Sequence, residues 1–287
     1  MTSSRYHVRS ISLPSRSHPS TLRIEEALNK FKTLDAFSRS STGSICTGLS
    51  GLEELYRCMD DLLNMGSTQQ VLSHNQNEKC IDELLDGSVR LLDVCTNIRD
   101  MLLQIKEHVQ ALQSALRRRK GDSSTETSIS TYISFRKRMK KDSKRLVAAL
   151  KQMENKLGAS PISDQDHHLS AVIRVLREVN VTSISIFQSL LLFLSMSVSK
   201  PRQGKWSLVS KLMHKGMIAC EEKQESLNEL EIVDAALCEG LNIEKMQNTN
   251  KRLEALETSI QGLENGLESV FRRLIKARAA VLNIISQ

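Results

Sequence analysis

The residues best suited to carry chemistry lie near the amino terminus, in the run Arg9-Ser10-Ile11-Ser12-Leu13-Pro14. This run matches the pattern R-S-x-S-x-P, which 14-3-3 proteins bind once the second serine is phosphorylated. A phosphate on Ser12 would add nearly two negative charges and three strong acceptors for an arginine cluster on a partner. We therefore predict Arg9, Ser12 and Pro14 as a phospho-motif, with 14-3-3 as a candidate partner. The alternative is an ordinary serine- and arginine-rich tail.

The same segment also has a second interpretation, as a targeting peptide. Residues 1–24 contain nine Ser or Thr, four Arg and no acidic residue, a composition typical of a plastid transit peptide. The two interpretations conflict, because a tail that is cleaved cannot serve as a lasting switch. Under both of them, residues 1–20 are predicted to be a disordered basic tail.

The second candidate site is a run of basic residues between positions 136 and 145. Residues 117–145 hold 11 Lys or Arg against three acidic residues, a balance of +8 in a chain whose net charge is +7. Such a patch can meet anionic lipid, at about 1 kcal/mol per basic residue, or a nuclear-import receptor through 137–140. The predicted basic patch consists of Arg136, Lys137, Arg138, Lys140, Lys141, Lys144 and Arg145.

The basic patch has two further interpretations. Nucleic acid is disfavoured as a partner, because only Tyr132 and Phe135 lie near enough to stack on bases. The remaining alternative is a solvated helix face without a partner.

Patterns that would support catalysis or metal binding are missing from the sequence. It contains no P-loop, no G-x-G-x-x-G, no G-x-S-x-G and no H-E-x-x-H. The six cysteines form no C-x-x-C pair, and the adjacent His167 and His168 would diverge on a helix. We predict no catalytic residue, no cofactor and no metal, and therefore a protein that is not an enzyme.

The elements that must position these residues are predicted to be helices. Aromatic residues make up 3% of the chain, with 12 Gly and 4 Pro, too few turn formers for a β-sandwich or barrel. An apolar content of 40% provides for a sizeable core. Prolines at 14, 19, 161 and 201 leave long proline-free stretches, which provide room for long helices. We predict helices at about 21–37, 78–120, 129–157 and 166–199, one that includes 52–63 and ends near Gly66, a shorter one ending near 240, and a last one that includes 253–284. Loops are predicted at 38–48 and 121–128.

Two of these helices carry apolar stripes at intervals of three and four, as in a coiled coil. We predict that the two stripes pack antiparallel within one molecule, with self-association as the alternative. The first consists of Leu84, Ser88, Leu91, Cys95, Ile98, Leu102, Ile105, Val109, Leu112 and Leu116, and the second of Leu253, Leu256, Ile260, Leu263, Leu267, Val270, Leu274, Ala277, Val281 and Ile284.

One stretch invites comparison with a membrane span. Residues 179–199 contain no charged side chain, yet nine of these 21 positions are Asn, Thr, Ser or Gln. Because a spanning helix is more uniformly apolar, we predict a helix buried inside a bundle, with membrane spanning as the alternative.

Several blocks of the sequence resemble a known family. Residues 7–20, 83–95, 101–120, 205–213 and 262–287 are similar to a plant-specific family of unknown function that is grouped by name with the BYPASS proteins. The resemblance implies an all-helical plant protein with a connection to root and shoot development and no assigned enzymatic activity. It carries over no site residues.

Together these observations predict a single all-α domain over residues 21–287, a multi-helix bundle with two very long amphipathic helices behind a basic tail. The predicted function is that of a non-enzymatic intracellular interaction or regulatory protein. Its predicted location is cytoplasmic, with plastid, nucleus and membrane periphery as alternatives. The alternative function is a peripheral membrane adaptor that binds anionic lipid through residues 136–145. The sequence leaves the oligomeric state open.

Overall fold

The computed structural model describes residues 19–34, 41–75, 79–118, 123–159, 167–196, 228–238 and 243–287. Within these ranges the chain forms eight α-helices and no β-strand, which confirms the all-α prediction. Residues 1–18, with the predicted phospho-motif, lie outside the described residues. The helices are α1 (Pro19–Leu34), α2 (Thr42–Leu63), α3 (Gly66–His74), α4 (Lys79–Arg117), α5 (Ser123–Ala159), α6 (His167–Ser195), α7 (Glu229–Cys238) and α8 (Ile243–Ile285).

The two long striped helices, α4 and α8, pack side by side in opposite directions. Near one end Arg278 donates to the carbonyl oxygen of Leu85 at 2.6 Å, and near the other end Arg117 pairs with Glu254 at 3.4 Å. Every residue of both predicted stripes is buried except Ser88, which is half-buried. The antiparallel packing within one chain is therefore present.

A row of polar contacts borders this apolar seam. Lys106 reaches Glu264 at 2.8 Å, and Arg99 reaches Glu268 at the same distance. The amide groups of Gln110 and Gln113 donate to the carboxylate of Glu257 and lower its pKa, since both hydrogen bonds favour the charged form. Basic and amide groups come from α4 and carboxylates from α8.

Helix α6 contacts α1, α2, α3, α4 and α5. It is the one described helix that is long and apolar enough to cross a membrane by length and composition, and 61% of its most apolar window is buried inside the protein. Phe187, Leu190, Leu191 and Leu194 are fully enclosed, and the hydroxyl of Ser183 is hydrogen-bonded to that of Tyr56 at 2.9 Å. The structure thus places α6 within the bundle, as the sequence predicted.

Two predicted loops proved largely helical. The predicted loop 38–48 is wrong from Thr42 onward, because Ser41 caps the helix by accepting from the backbone N–H of Ser44 at 3.3 Å. Likewise α5 begins at Ser123 and not near 129. Hydroxyl groups in this segment donate to the backbone carbonyl oxygen four residues earlier, as Ser128 does to Ser124 at 3.0 Å. The polar side chains are thereby satisfied within the helix, so the helix includes them.

Helix α3 was missed altogether. Gly66 was predicted to end the preceding helix, but Asn64 is the C-cap and Gly66 is the first residue of α3. The side chains of Leu72 and Thr68 are fully buried, and this short helix packs against α6 and α8 among other neighbours.

Candidate functional site

The basic residues of α5 separate into an outer and an inner group. Lys137, Arg138, Lys141, Lys144 and Arg145 are exposed, and Lys140 is half-buried. At about 100° per residue the five exposed side chains fall within an arc of about 120° on one side of the helix. We call these six residues the basic face. They account for six of the seven residues of the predicted patch.

The seventh residue, Arg136, lies inside the protein and is only 7% exposed. Its Nη2 lies 2.9 Å from Oδ2 of Asp234 on α7, and its Nε donates to the same carboxylate at 3.1 Å. Arg136 therefore does not contribute its charge to the surface. It shares the inward side of α5 with Tyr132 and Met139, which are four residues before it and three after it.

Arg136 also closes the carboxyl end of α6. Its Nη1 donates to the carbonyl oxygen of Leu194 at 2.8 Å and its Nη2 to that of Met196 at 2.7 Å. Carbonyls in the last turn of a helix lack partners within the helix, so the guanidinium satisfies groups that would otherwise be costly to bury. One side chain thereby joins α5, α6 and α7.

Helix α7 is held at the same place by its own amino terminus. The side chain of Asn228 accepts from the backbone N–H of Glu231 at 2.8 Å, and Glu231 accepts from the backbone N–H of Asn228 at 3.1 Å. This reciprocal pair is a capping box. The Asn228 amide also donates to the carbonyl oxygen of Phe193 at 3.2 Å, which fastens α7 to the end of α6.

A partly open cavity of about 250 Å³ lies between α5 and α7, beside the basic face. Its lining includes the Arg136–Asp234 ion pair, and Tyr132 donates to that carboxylate at 2.9 Å. Lys137 and Lys140 of the basic face also line it. The remaining lining is mostly apolar and comes from Ile133, Met196, Ala235, Leu237 and Cys238.

Metal ligands and buried ionisable groups are the side chains whose chemistry can be compared across the described residues. Over these ranges no group of three or more His, Cys, Asp or Glu side chains is arranged to hold a metal ion. Burial raises the pKa of the Cys95 thiol to about 12 and raises the pKa of the Tyr132 phenol well above its usual value. Neither group is prepared to ionise near neutral pH.

Sequence reasoning found the basic face but not the cavity beside it. Helical phase alone was enough to place position 136 on the inward side, together with Met139. The partner Asp234 is 98 residues away in sequence, and no local pattern signals it. The phospho-motif Arg9, Ser12 and Pro14 lies outside the described residues.

The fold and surface define the class: an all-helical bundle protein with a basic face on one long helix. More specifically, a family model described as Protein BPS1 matches residues 48–284, and the chain belongs to this family. The BYPASS resemblance is thereby confirmed, and membership supports a plant protein related to development. Searches of curated proteins and of solved structures gave no match.

Proposed function

We propose that this BPS1-family protein is a non-enzymatic interaction protein of the cytoplasm that docks on anionic membrane surfaces through the basic face. The observation that supports docking is the arrangement of five exposed cations on one side of α5, with the half-buried Lys140 beside them. Asp142 is the only acidic residue between positions 127 and 153, and it lies 3.8 Å from Arg145. The acidic residues of α5 itself therefore offer little repulsion to an anionic surface on this side of the helix.

The expected binding free energy favours reversible attachment of the protein to the membrane. Each basic residue near an anionic bilayer contributes about 1 kcal/mol, so the basic face supplies several kcal/mol in total. Stable anchoring of a peripheral protein usually takes a second signal besides a polybasic patch. The protein accordingly exchanges between the cytoplasm and a membrane in this proposal.

We expect Lys141→Glu combined with Lys144→Glu to weaken binding to phosphatidylserine-containing vesicles by at least about thirtyfold, since two contributions of about 1 kcal/mol are lost. Both side chains are exposed, so the fold should be preserved. Vesicle co-sedimentation of the full chain, with 30% phosphatidylserine or with phosphatidylcholine alone, measures the change. Binding should also disappear toward 1 M salt, where the screening length falls to about 3 Å.

The matched control carries the same charge change on other helices. Arg90→Glu with Lys251→Glu alters exposed cations of α4 and α8 and should reduce binding far less. Equal losses in the two double variants would show that total charge, and not the basic face, governs binding. Salt-independent binding would also contradict the proposal.

The phospho-motif supports a second candidate function, docking of a 14-3-3 protein on phosphorylated Ser12. The supporting observation is the R-S-x-S-x-P pattern itself, with Arg9 three residues before the serine and Pro14 two after it. We expect 14-3-3 to be captured from plant extract by the wild-type chain, and this capture to be lost after phosphatase treatment or with Ser12→Ala. Ser10→Ala is the matched control. Equal capture by wild type and Ser12→Ala would remove this candidate.

A further inference from the structure

We infer that the cavity between α5 and α7 binds one acyl chain of an anionic lipid, while Lys137 and Lys140 contact its phosphate headgroup. The inference rests on the proposed function and gives the basic face a specific ligand. It starts from one juxtaposition, a mostly apolar cavity whose lining includes two residues of that face.

The volume and lining of the cavity favour a hydrocarbon chain as its ligand. Ile133, Leu237 and Met196 supply apolar surface, and burying a hydrocarbon chain against such surface is favourable at about 25 cal/mol per Å². The volume of about 250 Å³ lies just below the range of about 300–1,000 Å³ for drug-sized ligands. A segment of a single chain fits this volume better than a bulky ring system does.

The charges around the cavity select an anionic headgroup. Asp234, the carboxylate in its lining, is neutralised by Arg136 at 2.9 Å and accepts a further hydrogen bond from Tyr132. The negative charge is thus compensated, whereas Lys137 is exposed at the same cavity and belongs to the basic face. A phosphate attached to the chain would find cations at the cavity and along α5.

This arrangement would supply the second signal that a basic face alone lacks. Charge brings the protein to the bilayer, and the cavity accepts the chain of a lipid with an accessible acyl group. The ligand class is therefore an anionic, single-chain phospholipid.

The test uses 1-oleoyl lysophosphatidate below its micelle concentration and the full-length chain, with binding measured by calorimetry. We expect it to bind at least about tenfold more tightly than glycerol 3-phosphate, which lacks the chain. We also expect it to bind about tenfold more tightly than oleoyl lysophosphatidylcholine, which lacks the net charge. Ala235→Trp should fill the cavity and reduce the affinity at least about tenfold.

Matched variants separate the cavity from general effects. Lys137→Glu with Lys140→Glu should weaken lysophosphatidate binding at least about thirtyfold, whereas Arg90→Glu with Lys251→Glu should change it much less. Ala279→Trp, on the exposed side of α8, controls for the added indole. As a readout on the unmodified protein, bound lysophosphatidate should slow the alkylation of exposed Cys238, a cavity residue, but not that of half-buried Cys46.

The outcomes distinguish this inference from the proposed function. If lysophosphatidate binds wild type and Ala235→Trp equally, or leaves Cys238 alkylation unchanged, the cavity does not hold the chain. That result leaves the vesicle experiment standing, because Lys141 and Lys144 do not line the cavity. Conversely, loss of the vesicle effect with intact lysophosphatidate binding would overturn membrane docking and retain a lipid-binding cavity.

Discussion

Arg136→Ala is expected to lower the free energy of unfolding by about 3–5 kcal/mol, the usual cost of removing one partner of a buried ion pair. The Asp234 side chain is only 15% exposed, so its carboxylate would be left with one hydrogen bond, from Tyr132. The carbonyl oxygens of Leu194 and Met196 would lose their donors as well. Urea unfolding followed by circular dichroism measures the change, and the melting temperature should fall by about 6–20 °C.

Arg138→Ala is the matched control for this prediction. Arg138 is two residues away on the same helix but exposed, and exposed substitutions usually change stability by less than about 0.5 kcal/mol. A second variant, Asp234→Asn, keeps acceptor and shape and should cost less than Arg136→Ala. Equal stability of Arg136→Ala and Arg138→Ala would mean that the guanidinium does not join the three helices.

Phe187→Ala is expected to cost about 3–5 kcal/mol of stability, because a fully enclosed aromatic side chain is replaced by a cavity. This substitution tests whether α6 is buried within the protein, because α6 is the described helix whose length and composition would suit a membrane span. Leu192→Ala on the same helix is the matched control, since Leu192 is 47% exposed and should change stability by well under 1 kcal/mol. Unfolding in buffer without detergent measures both.

The contrast between the two positions is the informative result. A helix surrounded by lipid would present both side chains to hydrocarbon, and the two substitutions would then have similar effects. A helix enclosed by α1, α2, α4 and α5 makes them differ by several kcal/mol. Similar losses at Phe187 and Leu192, or a protein that stays folded only in detergent, would contradict the burial of α6.

Those features of the fold that depend on periodicity were predictable from the sequence. The stripes of α4 and α8 place an apolar residue every third or fourth position, and burial of such a stripe is what drives two helices together. Helix starts were less predictable, because serine is common in loops but also caps a helix, as Ser41 does, or continues one, as Ser128 does. Their role is decided by which neighbouring side chains become buried, as Ile45 does next to Ser41.

The candidate site, like the fold, was predictable from the sequence only in part. The charge density of 136–145 identified a basic surface, since exposed cations need no partner to be recognised in a sequence. The inward turn of Arg136 follows from helical phase, but its function follows from Asp234 and the end of α6, which only the folded chain brings together. The cavity is likewise a product of three helix positions and has no sequence signature.

The ion pairs along the α4–α8 seam also affect which helices can pair with each other. Arg99, Lys106 and Arg117 make one helix edge positive, while Glu254, Glu264 and Glu268 make its neighbour negative. If α4 met another copy of itself, lysine and arginine would oppose their own kind, and the same conflict would arise between two copies of α8. Like-charge repulsion thus discriminates against pairing of either helix with a second copy of itself.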